Sequence, residues 1–374
     1  MCRILTFASR FAAVVTVKFK VDDTEETINL TPNEAFQRRY PHPKNLAQYS
    51  RNLVQDLGIE VTSTHEISLA GTTIQTASTD AFLALPVDVL SNEYIALSQD
   101  QGATGGSYVQ LVAAEDDTVV TITPKTAFGV HPAGVPFNVT LNKCQSVMYM
   151  SGSNQDLAGT RLVANKPFSL FSGHQCANVP NTQTFYCDHV DDQMPPLSSL
   201  GKSFVLVPFA RRTGGDWIRV VSTKPNTQLV KNGVALATIA AADAAFSFNL
   251  PSSDFALLES SEPIMVIQLI KGTSTDNIDS DPAMAVVPPI SQWSNNYIFS
   301  GVGPLFSGGT HYYGVAAPAN KTAGVRFDGA PIPPEQWVNV FGGAYKAHVS
   351  QISLDSHTLL HVEPNVGLQV VVYG

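Results

Sequence analysis

One pattern occurs four times in this sequence: an apolar stretch, a short polar break containing Glu or Pro, and a second apolar stretch. The four copies are GIEVTSTHEISLAG (58–71), GTRLVANKPFSLFSG (159–173), FALLESSEPIMVIQ (255–268) and TLLHVEPNVGLQVV (358–371). Glu66, Pro167, Pro263 and Pro364 occupy the same place in the pattern, at intervals of 101, 96 and 101 residues. Near-constant spacing is the signature of repeated structural units. The sequence therefore predicts four related units of about 95–100 residues.

Short turns flanked by β-branched residues predict that these units consist of strands. Asp116-Asp117-Thr118 precedes VVTITP, Pro225-Asn226-Thr227 precedes QLVKNG, and Asn320-Lys321-Thr322 precedes AGVRFDG. Asn232-Gly233 and Asp328-Gly329 have the composition of hairpin turns. Short strands with frequent turns in units of this size are typical of β-sandwiches.

We therefore expect an all-β fold of four related β-sandwich-like units, in tandem or in a pseudo-symmetric arrangement. Their predicted limits are about 1–100, 101–210, 211–305 and 306–374. Proline marks the junctions: Leu85-Pro86, Pro195-Pro196 and Pro288-Pro289 each lie shortly before an aromatic-aliphatic pair. Because proline cannot donate to a strand ladder, each junction predicts a strand entry or a crossing point.

The first unit diverges most from the pattern. Between Asn45 and Gln55, Leu46, Tyr49 and Leu53 have helical spacing, so a short helix and an irregular loop are equally compatible with this segment. The same region contains a basic cluster: Arg38, Arg39, His42, Lys44 and Arg51. Such a cluster can bind an anion, although a solvated loop is the simpler expectation.

Charge and hydropathy exclude two classes of protein. The formal net charge is −9 and the isoelectric point about 5.4, whereas a nucleic-acid-binding protein shows a basic stripe. The apolar stretches, such as Ile264 to Ile270, are far too short to cross a bilayer. We expect neither a nucleic-acid partner nor a transmembrane segment.

The densest group of reactive side chains lies between His174 and Pro196. Cys176 and Cys187 enclose ten residues, and a disulfide between them would close a short loop. Together with His174 and His189 they also form a symmetric set of thiol and imidazole groups suited to zinc. The one-residue spacing within each pair differs from the usual zinc knuckle. From the residues alone, a disulfide, a zinc site and free thiols all remain open.

Other candidate sites are weaker. Asp188, Asp191 and Asp192 do not have EF-hand spacing, so a solvated acidic loop is expected there, and a solvated turn at Asp80. Motifs of common hydrolases, nucleotide-binding proteins and zinc proteases are absent, and we expect no catalytic activity and no cofactor. Cys144 falls in a predicted strand, as a buried free thiol or as a partner of Cys2. Sequons occur at Asn29, Asn138 and Asn320, which would be surface glycosylation sites in a secreted chain.

Taken together, six stretches resemble the N-terminal domain of the IgGFc-binding protein family. They are DAFLALPVDVL (80–90), AEDDTVVTITP (114–124), DLAGTRLVANKPFSLFSGHQCANVP (156–180), CDHVDDQMPP (187–196), LGKSFVLVPFARRTGGDWIRV (200–220) and DPAMAVVPP (281–289). The resemblance covers most of the chain from about residue 55 onward. Cys176 and Cys187 match two cysteines of the family pattern, which favours the disulfide, whereas Cys144 departs from it.

The resemblance implies a secreted or cell-surface module of a mucus or adhesion protein, linked to other extracellular modules, that binds a protein or a glycan. Two alternatives remain. A metal-dependent enzyme would be centred on His174, Cys176, Cys187 and His189 together with Asp188, and a purely structural spacer would bind no specific ligand.

Overall fold

The computed structural model describes residues 2–40, 51–75, 78–276, 278, 280–301 and 310–374. Over these residues the regular structure is β-strand without α-helix, so the all-β prediction is confirmed. The described helical turns are short 3₁₀ turns: Val87–Val89, Leu197–Ser199, Thr273–Thr275, Ile290–Gln292, Thr322–Gly324 and Pro334–Gln336. We group the strands into units 1 to 4 by the sheets in which they hydrogen bond.

Unit 1 has two sheets, with strand orders β4-β1-β6-β7 and β3-β2-β5. Its strands are β1 (Cys2–Ala8), β2 (Ala13–Phe19), β3 (Thr24–Leu30), β4 (Ala35–Tyr40), β5 (Ile59–Ser63), β6 (Ser68–Gln75) and β7 (Ser78–Leu83). Unit 2 is one sheet of seven strands with the order β11-β10-β13-β9-β12. Its long central strand, β13, also pairs with β8 and β14. Its strands are β8 (Ser91–Ile95), β9 (Ser107–Ala113), β10 (Thr118–Thr123), β11 (Phe137–Leu141), β12 (Ser146–Met150), β13 (Arg161–Ala177) and β14 (Asp188–Gln193).

Unit 3 repeats this topology, with the order β18-β17-β20-β16-β19 and with β15 and β21 paired to β20. Its strands are β15 (Gly201–Leu206), β16 (Asp216–Ser222), β17 (Thr227–Lys231), β18 (Val234–Ile239), β19 (Ala245–Leu250), β20 (Ala256–Leu269) and β21 (Met284–Val286). Unit 4 has the orders β22-β28-β24-β25 and β26-β27-β23-β29. Its strands are β22 (Asn296–Ser300), β23 (His311–Pro318), β24 (Val325–Phe327), β25 (Ala330–Pro331), β26 (Val338–Asn339), β27 (Tyr345–Ile352), β28 (Ser356–His361) and β29 (Gln369–Tyr373).

The repeated sequence pattern forms the path along which each unit changes strand partners, between two sheets in units 1 and 4 and along one long strand, β13 or β20, in units 2 and 3. In unit 2, Val120 of β10 pairs with Ala164 before the break, and Ala113 of β9 pairs with Phe168 after it. In unit 1 the same path is divided between β5, which pairs with β2, and β6, which pairs with β1. A strand that changes sheets needs an irregular step, and the Glu or Pro of the pattern lies there.

The predicted turns and junctions are confirmed. Asn232-Gly233 joins β17 to β18, and Asp328-Gly329 joins β24 to β25; all four residues have positive φ, which Asn, Asp and Gly tolerate best. The proline junctions lead into the 3₁₀ turns at Val87–Val89, Leu197–Ser199 and Ile290–Gln292, and then into β8, β15 and β22. Each of these three strands hydrogen bonds to a strand that follows it in the chain, so we count it in the unit that begins with it. The limits predicted for the units stay a prediction.

The units follow one another around a ring. Units 2 and 3 share a continuous core, since Met265, Ile267 and Leu269 pack with the apolar residues of unit 2. Units 3 and 4 meet through an aromatic contact between Phe209 and Tyr373, and units 4 and 1 meet where β22 contacts β1.

Buried charge also holds this ring together. Arg219 of β16, a fully buried side chain, lies 2.6 Å from Asp156 and 3.5 Å from Asp100 of unit 2. A buried arginine requires such partners, so its position ties unit 3 to unit 2.

Two local predictions are wrong, and a third lies largely outside the described residues. Cys144 is in the turn between β11 and β12 rather than in a strand, with φ of 61°. Of the predicted basic loop, Arg38 and Arg39 belong to β4, where Arg38 pairs with Glu26 at 2.9 Å. The possible helix from Asn45 lies outside the described residues up to position 50, and residues 51–55 are not helical. No described helix is long and apolar enough to span a membrane.

Candidate functional site

Cys176 and Cys187 form the predicted disulfide. Cys176 lies near the end of β13, and Cys187 comes immediately before β14. These strands are antiparallel partners, with Ala177 opposite Asp188, so the two cysteine Cα atoms are 5.0 Å apart and the sulfurs are bonded. The bond closes the segment of residues 177–186, which we call the aromatic loop.

The aromatic loop presents two large side chains to solvent. Phe185 and Tyr186 are 72% and 70% exposed. Tyr186 has φ of 62°, a left-handed conformation that is unusual for a bulky residue. Two adjacent exposed aromatic side chains form an apolar patch, and such patches can mark interaction sites.

Hydrogen bonds hold the loop in place from inside and from unit 3. Within the loop, Asn178 Nδ2 donates to the Thr184 carbonyl at 2.7 Å. From unit 3, Ser274 Oγ accepts from the Phe185 amide at 3.0 Å, and the Gly272 amide donates to the Val179 carbonyl at 3.1 Å. The loop is thus anchored at its base by the disulfide and along its length by a second unit.

A cavity of about 490 Å³ opens beside the aromatic loop. Its lining includes Thr182, Thr184, Phe185, Tyr186, Asn178 and Asp281. Asn178 is only 3% exposed, and its Oδ1 has no hydrogen-bond partner among the described residues. An unsatisfied buried acceptor costs free energy, and a ligand that donates a hydrogen bond here would remove that cost.

The metal hypothesis does not fit this geometry. The disulfide uses both sulfurs that the hypothesis assigns to zinc. His174 Nδ1 accepts from the Cys176 amide at 3.1 Å, and His189 stacks on Tyr108 with ring centroids 5.9 Å apart. Among the described residues, no group of three or more His, Cys, Asp or Glu side chains is arranged to hold a metal ion.

The expected solvated acidic loop is instead a strand at the interface between units. Asp188, Asp191 and Asp192 belong to β14, and Asp188 and Asp191 are buried, as is Asp80 on β7. Asp80 accepts from the Asp191 amide at 2.8 Å, Asp188 from the Thr79 amide at 3.3 Å. These carboxylates accept hydrogen bonds from backbone amides of the adjacent edge strand, which explains why acidic residues lie where the units join.

Burial shifts the pKa values of the ionisable side chains at this interface. It raises the pKa of Asp191 and Asp192 to about 7 and that of Asp188 to about 6, and it raises the pKa of Asp80 well above its ordinary value. In the same region, burial lowers the pKa of His174 and His189 to about 4. The interface therefore disfavours charge on every one of these groups.

We expect the free energy of unfolding to fall as pH rises from about 6.5 to 8. A carboxyl whose pKa is raised to about 7 in the folded state binds its proton more tightly there than in the unfolded chain. Its stabilising contribution is complete at low pH and is lost as pH passes through about 7. Histidines with lowered pKa act in the opposite direction, but only below about 6.5. Urea denaturation at several pH values in this range measures how steeply the free energy of unfolding changes with pH. Asp191→Asn should make the slope shallower, and an unchanged slope would contradict the assignment.

The remaining predicted residues lie at the surface or apart from this loop. Asn29, Asn138 and Asn320 are all exposed. Cys144 is a half-buried free thiol, and the side chain of Cys2 lies outside the described part of the chain. Sequence reasoning missed Phe185 and Tyr186, although two adjacent aromatic residues in a short cysteine-closed polar segment are a usable signal for a displayed contact surface.

Two comparisons with known proteins bear on this site. A family model described as IgGFc binding protein matches residues 80–374. The human (Homo sapiens) IgGFc-binding protein is 22% identical over 380 residues, which cover 99% of this chain. The chain spans only 7% of the length of that relative. The matched region includes the disulfide, the aromatic loop and the cavity.

Proposed function

This chain belongs to the IgGFc-binding protein family, and from that premise we propose that it is a non-catalytic extracellular module that binds a protein or glycan through the aromatic loop. The Cys176–Cys187 disulfide supports an extracellular location, since such bonds persist in oxidising compartments. In a mucus or cell-surface protein, such a module would act beside further extracellular modules. Asn29, Asn138 and Asn320 are then proposed sites of N-glycosylation.

The observation that carries this proposal is the display of Phe185 and Tyr186 on an anchored loop. Aromatic side chains supply much of the free energy at binding hot spots. The disulfide and the bonds to unit 3 restrict the loop before binding, which reduces the entropy lost on association. A free and unanchored loop of the same composition would bind more weakly.

The cavity beside the loop sets the chemistry of the ligand. Asn178 Oδ1 is a buried acceptor without a partner among the described residues, and a peptide N–H or a sugar hydroxyl is the kind of donor that would suit it. The Asp281 carboxylate is also an acceptor, so an anionic group is disfavoured at this point. The name of the human relative specifies the Fc part of IgG, which makes Fc one candidate protein ligand to include in a screen.

Replacing Phe185 and Tyr186 with alanine should abolish most ligand binding. Each truncation is expected to cost about 2 kcal/mol or more, roughly a 30-fold loss of affinity per residue. The wild-type chain is first screened against secreted proteins, including Fc, and against a glycan array. The ligand found is then titrated into each variant by calorimetry.

Phe341→Ala is the matched control for this experiment. Phe341 is also a half-exposed phenylalanine but lies in unit 4. Its truncation should leave the affinity unchanged. A ligand that binds both loop variants as tightly as the wild type would refute the assignment to the aromatic loop, and a screen without any ligand would favour the structural-spacer alternative.

A further inference from the structure

The cavity beside the aromatic loop has a negative charge in its wall. Asp281 supplies this charge, and the described lining residues include no lysine, arginine or histidine. Lys271 belongs to the adjacent segment of unit 3, but its ammonium group donates to the Gly214 carbonyl at 2.7 Å and to Asn249 Oδ1. The described wall of the cavity therefore favours a positively charged ligand group over a negatively charged one.

A second carboxylate adds to the negative potential at the base of the loop. Asp188 directly follows Cys187, which also lines the cavity. Burial raises the pKa of Asp188 to about 6, and the charge of Asp281 contributes to this rise, so the two carboxylates are close enough to interact. Above this pH Asp188 is mostly ionised, and both groups then attract a cation.

Three consecutive amides of the aromatic loop are already engaged in hydrogen bonds. The Gln183 amide donates to Asn181 Oδ1 at 3.0 Å, and the Thr184 amide donates to the Asn181 carbonyl at 2.9 Å. The Phe185 amide donates to Ser274 Oγ at 3.0 Å. Protein loops bind anions through successive free amides. These three amides are therefore not available to an anionic ligand.

Asn178 shows the same preference for donors over acceptors in the ligand. Its Nδ2 is used by the Thr184 carbonyl, whereas its Oδ1 is buried without a hydrogen-bond partner among the described residues. Ammonium and guanidinium groups only donate hydrogen bonds, carboxylates and phosphates accept them, and a sugar hydroxyl does both. A wall that contains the Asp281 carboxylate and the Asn178 amide oxygen is best matched by a group that only donates.

The two aromatic rings favour the same kind of ligand group. Phe185 and Tyr186 line the cavity and are largely exposed. The face of an aromatic ring carries partial negative charge, and it attracts a cation that lies within about 6 Å of the ring centre. Lysine and arginine also have apolar stems that pack on apolar surfaces while the charged end stays polar. The rings can thus contact the stem and the charge of one such side chain.

We propose that the cavity binds the cationic side chain of an arginine or lysine of a protein ligand, with its charged group beside Asp281 and its stem against Phe185 and Tyr186. This inference rests on the proposed function of the aromatic loop and specifies the chemistry that the loop selects. The cavity volume of about 490 Å³ can accept one side chain of this size. A neutral glycan would use the rings without requiring the carboxylate, so experiment can separate the two classes of ligand.

The test uses the full chain and the peptide acetyl-Gly-Gly-Arg-Gly-Gly-amide. The matched control peptide has citrulline, which is neutral and nearly the same shape, in place of arginine. One side chain binds weakly, so a ligand-observed NMR titration is suitable, and we expect a Kd of about 1 mM for the arginine peptide. The citrulline peptide should bind at least tenfold more weakly. This comparison uses the wild-type chain and needs no variant to fold.

Variants of the protein then locate the contact. Asp281→Asn should weaken the binding of the arginine peptide at least fivefold and should bind the two peptides with nearly equal affinity. Phe185→Ala should also weaken the arginine peptide at least fivefold. Asp355→Asn is the matched control, because it removes the same charge from an exposed position in unit 4 and should leave both affinities unchanged. Melting transitions of the variants, compared with that of the wild type, verify the fold.

Several outcomes overturn the proposal. They are equal binding of the arginine and citrulline peptides to the wild type, no binding up to about 10 mM, and a preference for arginine that persists in Asp281→Asn. A neutral oligosaccharide whose affinity falls in Tyr186→Ala but not in Asp281→Asn would also overturn it, while leaving the aromatic loop as the binding site. The proposed function fails separately, if the ligand found by screening binds both ring variants as tightly as the wild type.

Discussion

Replacing Arg212 with alanine should lower the free energy of unfolding by about 3–5 kcal/mol. The side chains of Arg212 and Asp276 are both buried, and their closest nitrogen and oxygen atoms are 2.9 Å apart. The guanidinium also donates to the Lys271 carbonyl at 2.6 Å. Alanine would leave the carboxylate of Asp276 buried without its guanidinium partner, and removing one member of a buried pair costs more than the intact pair contributes.

Chemical denaturation at pH 7 measures this loss, with Lys202→Ala as control. Lys202 is a cation of the same unit, but its ion pair with Glu262 is exposed and 3.9 Å long, so the control should lose less than about 1 kcal/mol. The double variant Arg212→Ala/Asp276→Ala should lose less than the sum of its single variants, because the second change removes the uncompensated charge. Equal losses in Arg212→Ala and Lys202→Ala would show that the buried pair has no special role.

Cys176→Ser and Cys187→Ser should each lower the free energy of unfolding by about 3 kcal/mol. The disulfide spans a sequence separation of 11 residues, and without it the unfolded chain gains the conformations that the closed loop excludes. Both single variants break the same bond. The double variant should therefore cost little more than either one.

Denaturation of the three variants, together with intact mass with and without reduction, measures this prediction. Cys144→Ser is the matched control, since Cys144 is a free thiol at a half-buried turn position and its replacement should cost about 1 kcal/mol or less. A double variant that loses as much free energy of unfolding as the two single variants added together would contradict the bond. Ligand affinity of the same variants also reports on the aromatic loop, because an open loop must be ordered again on binding.

Local chemistry made much of this fold predictable. Asn232-Gly233 and Asp328-Gly329 tolerate the positive φ that their turns require, and that preference acts within a few residues. The spacing of Glu66, Pro167 and Pro263 marks a change of strand partners that recurs in each of those units. Cys176 and Cys187 are close in sequence, which made a disulfide between them one leading interpretation. The family resemblance then favoured it.

The burial of the acidic residues could not be predicted in this way. Asp188, Asp191 and Asp192 have the local composition of a solvated loop. They become strand residues because β14 pairs with β13 and packs against β7 and β21 of the neighbouring units. The backbone amides that donate hydrogen bonds to the carboxylates of Asp188 and Asp192 lie about a hundred residues away in the chain, at Thr79 and Val286.

The strand content, the fourfold repeat and the turns could be derived from the sequence alone, since each depends on spacing and on the conformational preferences of nearby residues. The folded structure alone shows which aspartates are buried, that Arg212 meets Asp276, and that Phe185 and Tyr186 face solvent. Each of these depends on which segments meet across long separations, and contacts between distant segments leave no local signal that one sequence can show.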